Sequence, residues 1–120
     1  MNTDLEGKKP IYQALRKIKG VDYSFSNAIC NTLGLDKNTI TGQIDDDMVV
    51  KLNEVIKNPA KYNLPEWLLN RRKDYEDGSD KHLVVGELKF THSNDLKRLQ
   101  RIKSYRGLRL AWGLTVRGQR

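Results

Sequence analysis

The chain has 120 residues, a length that suits one domain with a modest core and is too short for two full-sized ones. No run of apolar residues exceeds three, so the sequence predicts neither a membrane span nor a secretory signal, and we expect a soluble, cytoplasmic protein. The 22 basic residues outnumber the 15 acidic ones, and the resulting net charge of +7 points to a polyanionic partner.

Two short helices are predicted first along the chain. The first covers residues 10–19, where apolar residues recur at helical spacing, and Gly20 is suited to the position just after its end. Ser24 or Ser26 is expected to cap the second helix, which Gly34 terminates. A tight turn therefore joins the two helices.

A third helix is predicted to begin after Asp45 and to stop before Pro59, and Pro65 begins a brief fourth segment. The apolar stripes of the three longer helices predict the core. Its expected members are Ile11, Leu15, Ile18, Phe25, Ile29, Cys30, Leu33, Met48, Leu52, Val55 and Ile56.

The second half of the chain is predicted to contain a polar loop over residues 74–81 and two very short strands over residues 82–90. A long basic helix then begins at Ser93 or Asn94 and is closed by Gly107, with Leu96, Leu99 and Ile102 facing inward. Beyond it, the alternation of apolar residues favours an extended C-terminal tail, and a short helix is the alternative. The predicted fold class is all-α.

Charge divides the chain into two predicted parts. Residues 1–93 carry 14 basic and 14 acidic side chains and form a neutral helical body. Residues 94–120 carry eight basic residues against Asp95 alone, so this basic helix and tail hold the whole net charge. Such an asymmetry is typical of a protein in which one part folds and the other binds an anion.

The basic part has the features of a nucleic-acid-binding surface. Its clustered cations repel one another, and the phosphates of a nucleic acid turn that repulsion into the release of counterions. Tyr105 and Trp112 supply faces that can stack on bases or cover sugars. The run from Arg71 to Lys73 is a weaker candidate, because short charged runs are more often solvated surface.

No catalytic or metal-binding constellation is predicted. Asp45, Asp46 and Asp47 lie at a helix start, where negative charge is favourable without a metal. His82 and His92 are ten residues apart without a third ligand nearby, and Cys30 has the position of a small core residue. We therefore expect no enzyme activity, no cofactor and no metal.

Several motifs resemble those of the small-subunit ribosomal protein S-thirteen family, called S-eighteen in eukaryotic cytosolic ribosomes. The most specific motifs are Ser104 to Arg109 (SYRGLR) and Val116 to Arg120 (VRGQR). Asn58 to Tyr62 and Pro65 to Asp74 are similar to the archaeal and eukaryotic branch of the family. Asp22 stands where the family usually has glycine.

The resemblance implies a helix-two-turns-helix body, with Lys19 and Gly20 in the turn, that binds ribosomal RNA in the head of the small subunit. It also implies neighbours of the S-nineteen and L-five protein families, intersubunit bridges, and a basic tail directed towards P-site transfer RNA. The residues that the resemblance implies in RNA binding are Arg71, Arg72, Lys73, Arg98, Arg101, Lys103, Arg106, Arg109, Arg117 and Arg120. The charge and aromatic pattern of the basic part adds Lys97 and Tyr105.

Two other functions remain open from the sequence. Helix-two-turns-helix modules also bind DNA in repair enzymes, so a DNA-binding module of such an enzyme is the main alternative. A free regulatory RNA-binding protein is the other; it fits the charge but leaves the family motifs unexplained.

Overall fold

Five α-helices and several short 3-10 turns make up the regular structure of residues 3–120, the part of the chain that this computed structural model describes. The chain divides into two units, one ending at Val85 and the other covering residues 86–120. The described residues form no strand, only isolated β-bridges, so the all-α class is confirmed.

The first unit contains three α-helices. Helix α1 covers Ile11–Ala14 and tightens into a 3-10 turn over Leu15–Lys17, α2 covers Tyr23–Leu33, and α3 covers Asp46–Lys57. The sequence therefore predicts the existence and order of all three helices. The remaining 3-10 turns lie at Thr41–Gln43, Pro59–Tyr62 and Glu66–Leu68.

Side chains and glycine define the ends of α2. The prediction that Ser24 or Ser26 caps this helix is wrong: Asp22 is the N-cap, and its Oδ1 accepts a hydrogen bond from the backbone N–H of Tyr23 at 2.9 Å. Ser26 is fully buried within the helix. Gly34 ends α2 with a φ of 65°, the left-handed conformation expected there.

The core of the first unit lies between the three helices. The predicted apolar stripes are buried, with the exceptions that Leu33 packs against the core only partly buried and Met48 is half-buried. The core also contains Val21, Leu64 and Val84, which lie outside the helices. Burial of apolar area at about 25 cal/mol per Å² is the main force that holds these helices together.

Residues 82–85 form a strap over the turn between α1 and α2, in place of the predicted strands. Asn70 fixes this strap from the side: its Nδ2 donates to the carbonyl of Leu83 at 2.7 Å, and its Oδ1 accepts from the N–H of Leu83 at 2.8 Å. The N–H of Val85 donates to the carbonyl of Lys19 at 2.8 Å. These bonds pair both backbone groups of Leu83 and the N–H of Val85 without forming a strand.

Helix α4 covers Val85–Arg101, so the predicted start at Ser93 or Asn94 is wrong by eight or nine residues. The expectation that Ile102 faces inward is also wrong, because its side chain is 63% exposed. Leu96 and Leu99 are half-buried, and no described residue of α4 is fully buried.

Helix α5 covers Tyr105–Ala111, where the apolar alternation favoured an extended tail. The alternative of a short helix is the one that the structure shows. Gly107 lies inside α5 and does not close the preceding helix. Seven residues at about 1.5 Å each make α5 much shorter than an extended segment of the same length.

Candidate nucleic-acid interface

A tight turn joins α4 to α5 within the second unit. Lys103 takes the left-handed conformation with a φ of 52°, and Ser104 is the N-cap of α5. The Oγ of Ser104 accepts from the N–H of Gly107 at 3.1 Å and donates to the carbonyl of Leu99 at 3.0 Å. One hydroxyl thus connects the last turn of α4 to the first turn of α5.

Gly107 allows α5 to lie directly against the end of α4. It is the one buried residue of α5, and a Cβ atom there would overlap the carbonyl of Leu99 and lie 2.7 Å from the backbone nitrogen of Gln100. No side chain fits in that space. Glycine at this position therefore fixes the contact between the two helices and the orientation of α5 about its own axis.

The C-terminal end of α5 folds back instead of continuing as a straight tail. Gly113 has a φ of 69°, and the N–H of Leu114 donates to the carbonyl of Arg109 at 2.9 Å. The Nε of Arg109 donates to the carbonyl of Thr115 at 2.8 Å, and the hydroxyl of Thr115 donates to the carbonyl of Gln119 at 2.7 Å.

The second unit carries the entire net charge of the protein. It has nine basic residues against Glu87 and Asp95, whereas residues 1–85 hold thirteen of each sign. We use the name basic surface for the residues of this unit that the sequence assigns to RNA binding. They are Lys97, Arg98, Arg101, Lys103, Tyr105, Arg106, Arg109, Arg117 and Arg120.

Most side chains of the basic surface are exposed, and two of its arginines also have partners within the protein. Arg98 and Arg109 are half-buried, and the other seven residues are exposed. The Nη2 of Arg98 lies 3.7 Å from the Oδ1 of Asp95, and Arg109 bonds to Thr115 as described above. These two contacts orient Arg98 and Arg109. They leave the surface positively charged, because residues 96–120 contain no acidic side chain and Asp95 is the nearest one in the sequence.

The second predicted patch separates into one structural and two exposed residues. Arg71 pairs with Lys81 in an antiparallel bridge, and its Nε donates to the Oδ1 of Asp74 at 2.9 Å. Lys81 Nζ contacts Asp74 at 3.1 Å and Asp77 at 2.8 Å. Arg71 therefore closes the loop that runs from residue 71 to residue 81.

The loop that Arg71 closes presents Arg72 and Lys73 at its exposed edge. Lys73 has a φ of 48°, and its N–H donates to the Oδ1 of Asp80 at 2.7 Å. The ammonium of Lys81 and the guanidinium of Arg71 hold the pKa of Asp74 below its usual range, so this carboxylate stays charged.

The turn between α1 and α2 is covered on one side by the strap. Gly20 has a φ of 104°, and a Cβ atom there would lie 2.5 Å from the carbonyl oxygen of Leu83. Asp22 caps α2 and accepts from the Nε of Arg16 at 2.8 Å. The Arg16 guanidinium in turn lies 3.6 Å above the ring of Tyr23.

His82 anchors the strap in the core of the first unit. Its ring stacks on Phe25 with centroids 3.8 Å apart, and its side chain is 8% exposed. The Nδ1 accepts a hydrogen bond from the N–H of Asn70 at 3.4 Å, which requires an unprotonated nitrogen. Burial lowers the pKa of His82 from its ordinary value of 6.5, against a smaller opposing effect of the Gly20 backbone.

The candidate catalytic and metal-binding residues are not brought together. Within residues 3–120, no three histidine, cysteine, aspartate or glutamate side chains are placed to hold a metal ion. Cys30 is buried in the core, and burial raises the pKa of its thiol. None of the helices in the described residues is long and apolar enough to span a membrane.

A chain that contains one basic helical unit and one electrically balanced unit has the charge pattern of the class of proteins that bind polyanions. Comparison with known proteins identifies the family. The family model described as ribosomal protein S13/S18 matches residues 1–120.

Curated relatives match along nearly the whole chain, and each is named small ribosomal subunit protein uS13. The protein of Methanobrevibacter smithii is 48% identical over 117 residues, which cover 98% of this chain and 80% of the relative. That of Nanoarchaeum equitans is 48% identical over 119 residues, covering 99% and 78%. That of Methanothermobacter thermautotrophicus is 47% identical over 117 residues, covering 98% and 78%.

The chain belongs to the ribosomal protein S13/S18 family, in its archaeal and eukaryotic branch. It is a structural, non-enzymatic constituent of the small ribosomal subunit, with ribosomal RNA and the ribosome as partners. Family membership therefore confirms the prediction of a structural constituent of the small ribosomal subunit, and it disfavours the DNA-repair alternative.

Proposed function

We propose that the basic surface binds ribosomal RNA in the head of the small subunit, and that Arg72 and Lys73 form a second RNA contact. The observation that carries the proposal is the location of the net charge: all of it lies in residues 86–120, where only Glu87 and Asp95 oppose it. Arg71 supports the second contact by closing the loop that presents Arg72 and Lys73.

Electrostatics explain why this surface needs a polyanion. Exposed cations held close together repel one another, and this repulsion destabilises a protein without a partner. Binding of a phosphate backbone relieves the repulsion and releases condensed counterions, which favours association at moderate salt. The exposed arginines add planar groups that bind phosphate oxygens through two parallel hydrogen bonds.

The proposal extends to partners beyond the RNA of the head. Proteins of the S-nineteen and L-five families are the proposed neighbours, and through the latter the protein takes part in intersubunit bridges. The segment after α5, with exposed Arg117 and Arg120, is proposed to face P-site transfer RNA. These partners are supported by the resemblance of two motifs, SYRGLR (Ser104 to Arg109) and VRGQR (Val116 to Arg120), to motifs of the family.

The test compares charge reversals in the two units. We expect the double substitution Lys103→Glu and Arg106→Glu to weaken binding to a transcript of the small-subunit head by at least about tenfold, measured by filter binding. The matched control is Lys51→Glu with Lys57→Glu, which reverses two exposed lysines on α3. We expect the control to stay within about twofold of the unsubstituted protein. Equal losses in the two variants would contradict the proposal.

A separate pair of variants tests the second contact. Arg72→Gln is expected to weaken RNA binding while leaving the loop ordered. Arg71→Gln is expected to increase amide hydrogen exchange between residues 71 and 81, because it removes the guanidinium that binds Asp74. If Arg72→Gln leaves the affinity unchanged, the second contact is wrong.

A further inference from the structure

Tyr105 and Arg109 in α5, together with its C-cap residue Trp112, form a stripe at helical spacing. Their spacing of four and three residues places the three side chains within about 60° of one another around the helix axis. The rise of about 1.5 Å per residue separates the two aromatic positions by about 10 Å along the helix. Tyr105 is 72% exposed and Trp112 is 66% exposed, although both are large and partly apolar.

The contact at Gly107 explains why the stripe faces outward. Gly107 follows Tyr105 by two residues, so it lies roughly on the opposite side of the helix. Because Gly107 is held against the backbone of Leu99, α5 cannot turn about its axis to bury the aromatic rings. The stripe is therefore held away from α4 by the packing of the unit itself.

Arg109 lies between Tyr105 and Trp112 in the register of the helix, and a hydrogen bond holds its side chain. Its Nε donates to the carbonyl of Thr115 at 2.8 Å, and this bond restricts the motion of the guanidinium. The two Nη nitrogens remain as donors suited to phosphate oxygens. Two exposed aromatic residues on the same helical face as a cation have the chemistry of a platform for nucleotides, because bases can stack on the rings while the cation binds the backbone.

We propose that this stripe binds unpaired nucleotides of the RNA, such as those of a bulge, a loop or a strand end, and not a continuous duplex. The proposal rests on the proposed RNA-binding function and specifies its ligand. Bases in a continuous duplex are stacked on each other, so their faces are not available to protein rings. Unpaired bases expose both faces, and the surrounding positive charge favours RNA over an apolar protein partner.

The experiment compares binding to three RNAs at a single salt concentration by fluorescence anisotropy. They are a continuous duplex, the same duplex with a three-nucleotide bulge, and the single strand. We expect the protein to bind the bulged duplex at least about tenfold more tightly than the continuous one, since stacking of a single base contributes about that factor. Trp112 fluorescence, observed alone in a Trp67→Phe variant, should be quenched by the bulged duplex and by the single strand, and far less by the continuous duplex.

Two variants separate stacking from charge. Tyr105→Leu with Trp112→Leu should bring the affinity for the bulged duplex down to that for the continuous duplex, because both stacking rings are lost and every cation is retained. Tyr105→Phe keeps the aromatic ring and should preserve the preference. Circular dichroism checks that these exposed substitutions leave the helices intact.

The possible outcomes distinguish the two proposals. Equal affinity of the unsubstituted protein for bulged and continuous duplexes would overturn the stacking inference and leave the RNA-binding function standing. Failure to bind any of the three RNAs would overturn the proposed function itself. A double leucine variant that keeps its preference for the bulge, or that loses affinity equally for all three RNAs, would assign the stripe to another role, such as docking to a protein.

Discussion

The absence of a Cβ atom at Gly107 determines how closely α5 packs against α4. The Cβ of any other residue would overlap the backbone of Leu99, and backbone atoms cannot move aside as the end of a flexible side chain can. Ser104 adds hydrogen bonds to both helices at the same turn. These two small residues therefore determine how the arginines of α5 are presented.

The substitution Gly107→Ala is expected to separate α5 from α4. Overpacking of this kind costs about 1–3 kcal/mol, so amide hydrogen exchange in Tyr105–Ala111 should increase and RNA affinity should fall. Gly86→Ala is the matched control, since Gly86 lies in α4 with open space around its Cβ position. We expect Gly86→Ala to slow amide hydrogen exchange slightly in the first turns of α4, because alanine favours a helix by about 0.5–1 kcal/mol over glycine. Unchanged exchange in the Gly107 variant would contradict the close contact.

At the scale of elements, the strap of residues 82–85 gives the first unit a pH-dependent stability. The pKa of His82 is lowered in the folded state, so the unfolded chain binds more protons at mildly acidic pH. The stabilising contribution is complete above the ordinary pKa of about 6.5. It is lost as the pH falls from there through the lowered folded value.

We therefore expect the free energy of unfolding, measured by urea titration, to decrease between pH 7 and pH 5. His82→Leu should flatten this dependence because the buried titrating group is removed. His92→Gln, a change at an exposed position of α4, should keep it. A His82→Leu variant with the same pH dependence as the original chain would show that another group is responsible.

The sequence predicts some elements well and others poorly, for physical reasons. The helices α1, α2 and α3 were predictable because their apolar spacing, Gly34 and Pro59 are local signals. The start of α4 could not be predicted from the sequence. Val85 is β-branched and begins the helix with a φ of 46°, a conformation that is rare for such a residue. A tertiary hydrogen bond to Lys19 holds it there.

The candidate site shows the same division between local and tertiary information. The positive charge of the second unit could be counted in the sequence, as could Tyr105 and Trp112. The outward orientation of these rings could not be predicted from the sequence, since it depends on the close contact between Gly107 and the backbone of Leu99. The pairing of Arg71 with Asp74 likewise depends on the bridge to Lys81, ten residues later, which closes the loop.

In the whole molecule, the net charge and the buried core lie in different units. The first unit has the buried core and no net charge, whereas the second has the net charge and few buried residues. A ribosomal protein needs both properties: a stable body that other components can contact, and a surface whose affinity comes from phosphates. We therefore expect most of the RNA affinity to come from the second unit and most of the fold stability from the first.

The salt dependence of RNA binding tests this assignment most directly. Each phosphate contact contributes about 0.7 to 0.9 to the slope of log affinity against log salt. Substituting glutamine for Arg101, Arg106, Arg117 and Arg120 should therefore reduce the magnitude of the slope by about 3 on small-subunit head RNA. The same change at Lys37, Lys51, Lys57 and Lys61, all exposed in the first unit, should leave the slope nearly unchanged. A slope that is equally reduced in both variants, or unchanged by loss of the four arginines, would contradict the account.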